Sequence, residues 1–186
     1  MTQLIDSGWL STARRVESPN YDERPQGEEI DLLVVHGISL PPRQYGGPQI
    51  EAFFCNCLAP DEDPYFVGIG DVRVSAHFLI RRDGELVQFV ALGKRAWHAG
   101  QSCFGGRERC NDFSIGIELE GCDDEAYEVA QYKRLAELCY ALMNSYPGIS
   151  PERIVGHCDI APGRKTDPGQ AFDWSYFRRL LAGEKR

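Results

Sequence analysis

Four histidines, His36, His77, His98 and His157, are present, and two of them stand where strands are expected to end. His36 lies near the end of D-L-L-V-V-H-G-I and is read as terminating the most apolar strand of the chain, and His157 closes the shorter run R-I-V-G-H. Strand ends are where open α/β folds commonly build their sites. Asp167 follows His157 by ten residues in A-P-G-R-K-T-D-P-G, where prolines and glycines set the backbone rather than fill a core. Two neutral imidazoles and one carboxylate leave a fourth tetrahedral position for water, the ligand logic of a catalytic zinc site. Such an ion acidifies its water and polarises a carbonyl. The spacing is not a compact motif, however. The alternative is a hydrogen-bonded core histidine at 36 and a turn-capping aspartate at 167.

A hydrolytic site also needs a proton acceptor beside the water and a cation near the charge that develops. Glu118 and Glu120 share the polar face of F-S-I-G-I-E-L-E, so periodicity offers either as base, with Glu120 expected to be a solvated edge carboxylate. Lys165 lies two residues before Asp167 and would bring an ammonium to the same place, although alone it reads as an ordinary exposed loop lysine. Cys158 beside His157 raises a thiol hydrolase as a rival. Neighbours on a strand point to opposite faces, which sets that pair apart.

The elements that must position these groups follow from periodicity. Residues 31–38 are apolar on both alternating faces, as a central buried strand requires. Residues 113–120 alternate strictly, with Phe113, Ile115, Ile117 and Leu119 predicted to face the core and the two glutamates the other side. Residues 75–80 and 86–90 read as a hairpin turning at Asp83-Gly84. A short helix is expected over 48–58, and the longest over 127–146, burying Val129, Tyr132, Leu135, Leu138, Cys139 and Leu142 before Pro147-Gly148 ends it. Residues 153–157 form a short strand, and Asp173 caps a last helix running to Leu181. Strands interleaved with helices predict a single α/β domain, a mixed central β-sheet flanked by helices. Residues 1–29 are read as an N-terminal arm of that domain and residues 30–182 as its catalytic part.

At 186 residues the chain has the size of one domain able to bury a core without staples. A net charge of −8 argues against nucleic acid as a partner, although Arg107, Arg109, Arg164 and Lys165 sit in Gly-rich loops where they suit a small anion. The start M-T-Q-L-I-D-S-G-W-L has neither the basic beginning nor the apolar run of a signal peptide, and no stretch is apolar enough to span a bilayer. Seven cysteines, odd in number and without a C-x-x-C pair, are expected to be free thiols in a reducing compartment, so a cytoplasmic location is expected.

The strings L-L-V-V-H-G-I-S-L-P-P, V-S-A-H-F-L-I-R-R-D-G, R-A-W-H-A-G, G-R-E-R-C-N-D-F-S-I-G-I-E-L-E-G and G-H-C-D-I-A-P-G-R-K-T-D-P-G resemble the AmpD-type N-acetyl-anhydromuramyl-L-alanine amidases. That group belongs to a zinc amidase family together with phage T7-type lysozyme and peptidoglycan recognition proteins. The resemblance runs from about residue 8 to about residue 178. It implies the peptidoglycan-recognition-like fold and one zinc held by His36, His157 and Asp167. It selects Glu118 as the catalytic carboxylate, with Lys165 stabilising the tetrahedral intermediate. It also implies that Arg73, Trp97 and Arg109 lie near the anhydromuramyl sugar and the peptide carboxylates. Arginines suit carboxylates through paired donors, and Trp97 offers a flat face to a sugar, with core packing as its alternative role. The implied reaction is hydrolysis of the amide joining anhydro-N-acetylmuramic acid to L-alanine in cytoplasmic muropeptides. The implied setting is peptidoglycan recycling by a monomer without membrane partners, with an indirect effect on β-lactamase induction.

Two departures stand out. Many relatives carry Tyr where this chain has Ala76, which throws more weight on Glu118, and typical members read H-N-I-S where Gly37 follows His36, which removes an amide able to bind substrate peptide. His77 is expected to be structural, and His98 to touch ligand without being a required metal ligand. A non-catalytic peptidoglycan-binding module, the other rival, would lack a metal ligand or a catalytic group, and this sequence keeps them all.

Overall fold

The computed structural model describes residues 7–183. The chain runs through β1 (Arg14–Arg15), β2 (Tyr21–Glu23), β3 (Leu32–Ile38), α1 (Gln49–Phe54), α2 (Pro64–Val67), β4 (Phe78–Ile80), β5 (Leu86–Gln88), β6 (Lys94–Ala96), β7 (Cys103–Phe104), β8 (Arg107–Glu108), β9 (Ser114–Glu120), α3 (Val129–Ser145), β10 (Ile154–Gly156), α4 (His157–Ile160) and α5 (Trp174–Leu181). Six strands make one sheet in the order β1-β5-β4-β9-β3-β10. The two apolar runs pair in parallel at its centre, Leu32 opposite Ser114 through Ile38 opposite Glu120. β4 and β10 flank them in parallel, and β5 turns back antiparallel to β4, so the sheet is mixed as predicted. β2 pairs with β6 and β7 with β8 in two small ribbons.

The two faces of the sheet differ. On one, Leu33, Val35, Ile115, Ile117 and Leu119 pack against Tyr132, Leu135, Leu138 and Leu142 of α3 and Phe177 of α5. Each such side chain contributes about 1.5–3 kcal/mol on burial, enough in sum to offset polar groups buried elsewhere. On the other face the apolar cover is split. Leu40, Phe53, Phe54, Leu79 and Phe89 gather on one side, while Leu32, Val34, Phe113 and Ile160 gather on the other. His36 and Glu118, opposite one another in the register, fall on the face that these two clusters share.

Several local expectations are corrected. Glu120 is not a solvated edge carboxylate: it is 1% exposed. Its Oε1 accepts from the backbone N–H of Gly46 at 2.7 Å and from Arg81 at 3.1 Å, and its Oε2 from the N–H of Arg82 at 3.1 Å. Three donors satisfy a buried carboxylate that alternation alone reads as wet. Val129 is exposed rather than part of the buried stripe, because α3 begins only there. The remaining stripe residues are buried as expected. Neither histidine ends a strand: His36 is followed within β3 by Gly37 and Ile38, and His157 comes after one. β10 stops at Gly156, and His157 opens the turn of α4, where Gly156 N–H donates to Asp159 Oδ2 at 2.7 Å and Cys158 N–H to the Asp167 carbonyl at 3.0 Å. Asp173 caps α5 through the N–H of Tyr176, as predicted. All seven cysteines are free, and no helix among the described residues is long and apolar enough to cross a membrane.

Candidate active site

Three elements carry the predicted metal ligands to one point. His36 projects from β3, His157 from the first residue of α4, and Asp167 from the loop beyond, which turns at Gly163 with φ +76°. His36 Nδ1 and His157 Nδ1 are 3.0 Å apart, and Asp167 Oδ2 lies 3.2 Å from the first and 3.0 Å from the second. Ligands of a tetrahedral zinc, each about 2.0–2.1 Å from the ion, are separated by about 3.3 Å. The triangle fits.

The hydrogen bonds around the imidazoles strengthen that fit. His157 Nε2 lies 3.2 Å from the Ala99 carbonyl, which can only accept, so Nε2 carries the proton and Nδ1 presents a lone pair. His36 Nε2 lies 2.9 Å from His98 Nδ1, and His98 Nε2 lies 3.2 Å from Ser114 Oγ. A relay in which His36 Nε2 donates to His98 and His98 to Ser114 Oγ is the one that frees His36 Nδ1 to bind a cation. In that tautomer two lone pairs and a carboxylate oxygen face one another, and a cation resolves the arrangement. Burial pushes the His36 pKa down to about 4 against the pull of Asp167, so the ring is neutral.

Glu118 stands on β9 directly across from His36 and is 8% exposed. Burial first, then the charge of Asp167, raises its pKa well above the ordinary carboxylate value, while Lys165 pulls the other way. Its Oε2 is buried without a hydrogen-bond partner. An orphaned buried carboxylate oxygen is costly to the fold and points to a role outside it. Lys165 is exposed at the rim of the same cavity. The cavity has a volume of about 630 Å³. Its polar end is formed by His36, His98, Glu118, His157, Lys165 and Asp167, and its opposite wall by apolar side chains that include Leu40, Phe53, Ile69 and Val74.

The residues expected to bind substrate lie apart from this lining. Arg73 is exposed and donates to the Gly70 carbonyl at 2.8 Å. Trp97 is half-buried, its backbone N–H donating to Ser75 Oγ at 3.1 Å. Arg109 is exposed beside Asp112 and lines a separate hollow with Arg164. His77 is fully buried, accepting from Gly116 N–H through Nδ1 and facing the Lys94 carbonyl through Nε2. Ala76 packs fully buried with Leu79, Val87 and Phe89, so its side chain belongs to the core cluster. A side chain at Gly37 would run into the Tyr127 hydroxyl, which is engaged with the Pro168 carbonyl at 2.9 Å. Cys158 lies on α4, so the opposite-faces argument does not hold for it. Its thiol is nevertheless pushed up by burial and lines no part of the cavity.

Sequence reasoning missed the work of His98 and of Gly116. A Cβ at Gly116 would overlap the His98 ring, so the glycine in β9 is what lets that imidazole lie on the sheet and reach His36. A glycine within a strand marks such close approaches, and that was the available signal.

The N-acetylmuramoyl-L-alanine amidase family matches residues 26–170 of the chain. The chain is 61% identical over 178 residues to the 1,6-anhydro-N-acetylmuramyl-L-alanine amidase AmpD of Citrobacter freundii, covering 96% of this chain and 95% of that one. A crystal structure of a selenomethionine AmpD derivative superposes with a TM-score of 0.93 at 60% identity, over 96% of this chain and 99% of that chain. AmpDh3 from Pseudomonas aeruginosa, solved in complex with an anhydromuramic pentapeptide, aligns with a TM-score of 0.64 at 30% identity, over 83% of this chain and 61% of that chain. With its mixed sheet and its His-His-Asp cluster, the chain belongs to the N-acetylmuramoyl-L-alanine amidase family and is of the AmpD type.

Proposed function

We propose that this chain hydrolyses the amide bond between the lactyl group of anhydro-N-acetylmuramic acid and the L-alanine of its stem peptide, with one zinc ion held by His36, His157 and Asp167. The observation that carries the reading is the meeting of two imidazole nitrogens and a carboxylate oxygen within 3.2 Å of one another. A zinc ion there would supply Lewis acidity toward the carbonyl and toward water. Glu118 takes the proton of the attacking water on Oε2 and returns it to the leaving amine. A carboxyl tuned upward by burial suits a group that must both accept and release a proton. Lys165 offsets the negative charge that grows on the carbonyl oxygen. The cavity volume suits a sugar with the start of its peptide, and Arg73, Trp97 and Arg109 would meet substrate groups that extend beyond its wall.

The substrate named for the Citrobacter relative and the ligand of the Pseudomonas structure support the anhydro-muropeptide assignment. On this reading residues 30–182 form the catalytic part, with residues 1–29 an arm of the same domain. The protein acts as a cytoplasmic monomer in peptidoglycan recycling, and its loss would alter β-lactamase induction through accumulated muropeptides. The test is an amidase assay on anhydro-muropeptide before chelation, after it, and after zinc is restored. Activity should vanish and return with the metal. Full turnover by metal-free protein would end the proposal.

A further inference from the structure

The two metal-binding imidazoles are oriented by neighbouring residues of one segment. His36 Nε2 meets the ring of His98, and His157 Nε2 meets the carbonyl of Ala99. Neither residue belongs to a regular element, so something outside a strand or helix ladder must hold them. The Asn111 side-chain oxygen does so. It accepts from the backbone N–H of His98 at 3.1 Å and from that of Ala99 at 2.8 Å. Both partners are donors, which fixes which end of the amide faces them.

Asn111 is itself held from several sides. It is the middle residue of a single 3-10 turn, Cys110–Asp112, entered through Arg109 at φ +60°. The Arg24 guanidinium donates to the carbonyls of Asn111 at 3.0 Å and Asp112 at 2.9 Å, and Arg95 pairs with the Asp112 carboxylate at 2.8 Å. Ser102 Oγ takes the N–H of Cys110 at 3.1 Å. A rigid turn therefore presents one oxygen to two consecutive N–H groups, and those two residues supply the acceptors that aim both imidazoles.

Resting on the zinc reading above, we infer that Asn111 is the positioning residue of the metal centre, aiming both histidine ligands at once through His98 and Ala99. Partners that orient metal-binding histidines typically carry about 10–100-fold in metal affinity. Asn111 acts one bond further out but on two ligands together. Removing its oxygen leaves two N–H groups without their acceptor and loosens both aiming groups at their backbone, with Arg164 still on the Ala99 carbonyl at 2.7 Å and Ser114 on the His98 ring at 3.2 Å. It touches no ligand, so its effect belongs in metal binding and coordination geometry.

The test uses metal-free full chain, zinc affinity by competition with a chromophoric chelator, and the visible spectrum of the cobalt(II)-loaded protein. Asn111→Leu, with the same branched skeleton but without an acceptor, should weaken zinc binding by about tenfold or more and change the cobalt spectrum. Asn111→Asp keeps the oxygen and should stay within about threefold of the parent chain in affinity. A plain loop staple would lower Tm and leave affinity and spectrum alone. Parental affinity and spectrum in Asn111→Leu, or equal damage in Asn111→Asp, would overturn the inference. If Asn111→Leu does not fold, His98→Phe removes the His36 arm alone, and unchanged affinity and spectrum there would overturn it too. A parent chain that binds neither zinc nor cobalt sinks the zinc reading itself. Parental binding with an indifferent Asn111→Leu sinks only this inference.

Discussion

Glu118 and Glu120 are two residues apart on β9, point to the same side of the sheet and are both buried, yet they serve opposite ends. Around Glu120 the chain has gathered donors. Arg81 and the N–H groups of Gly46 and Arg82 satisfy it, and Arg81 reaches on to Glu51, which also pairs with Arg14. Around Glu118 donors are missing. Its Oε2 has no partner, the nearby Asp167 charge resists its ionisation, and the cavity opens beside it. One carboxylate is spent on structure, and the other is kept available at a cost to structure. Burial alone does not separate them; the supply of donors does.

The largest effect should come from Glu118→Gln. It should lower kcat by about 10²–10⁴-fold with zinc retained, and near-parental turnover would remove Glu118 from proton transfer. Lys165→Ala comes next, lowering kcat by about tenfold to a hundredfold in steady-state assays with a smaller change in KM, whereas an unchanged kcat would strip it of its charge-offsetting role. Glu120→Gln should do the reverse of Glu118→Gln. It leaves Arg81 less well paired, costs about 2–3 kcal/mol and lowers Tm by roughly 5–10 °C, while kcat stays within about threefold. Lost turnover with an unchanged Tm would erase the distinction between the two glutamates.

The smallest effect sharpens the contrast. A raised pKa means that ionising Glu118 costs the folded state. That cost is absent below the unfolded carboxylate pKa of about 4.3 and complete above the folded value. Metal-free Glu118→Gln should therefore melt higher than the parent at alkaline pH and no higher near pH 4. A gain confined to acid would have the wrong sign.

Much of this was legible in the sequence, because hydrophobic period and histidines in or beside apolar runs are local signals. The central strands, the hairpin, α3 and α5 followed from them, as did the candidates His36, His157 and Asp167. What failed depended on partners remote in the chain. Nothing in F-S-I-G-I-E-L-E says that His98 covers Ser114 and Gly116, or that Arg81 and Gly46 meet Glu120, so a polar face that is buried read as open. The turn at His157 was hidden for another reason: it is set by the nearby Asp159 side chain and Asp167 carbonyl, which hydrophobic period does not weigh. Choosing Glu118 over Glu120 required the family resemblance. The geometry supplies a physical ground for that choice in the orphaned oxygen.

The central claim is that His36, His157 and Asp167 together hold one cation, and zinc titration of the metal-free chain beside Asp167→Ala tests it most directly. The account predicts saturation at a single ion per parent chain and binding weakened by about a hundredfold or more once the carboxylate is gone. A parent chain that takes up no zinc, or an Asp167→Ala chain that holds it equally well, would contradict it.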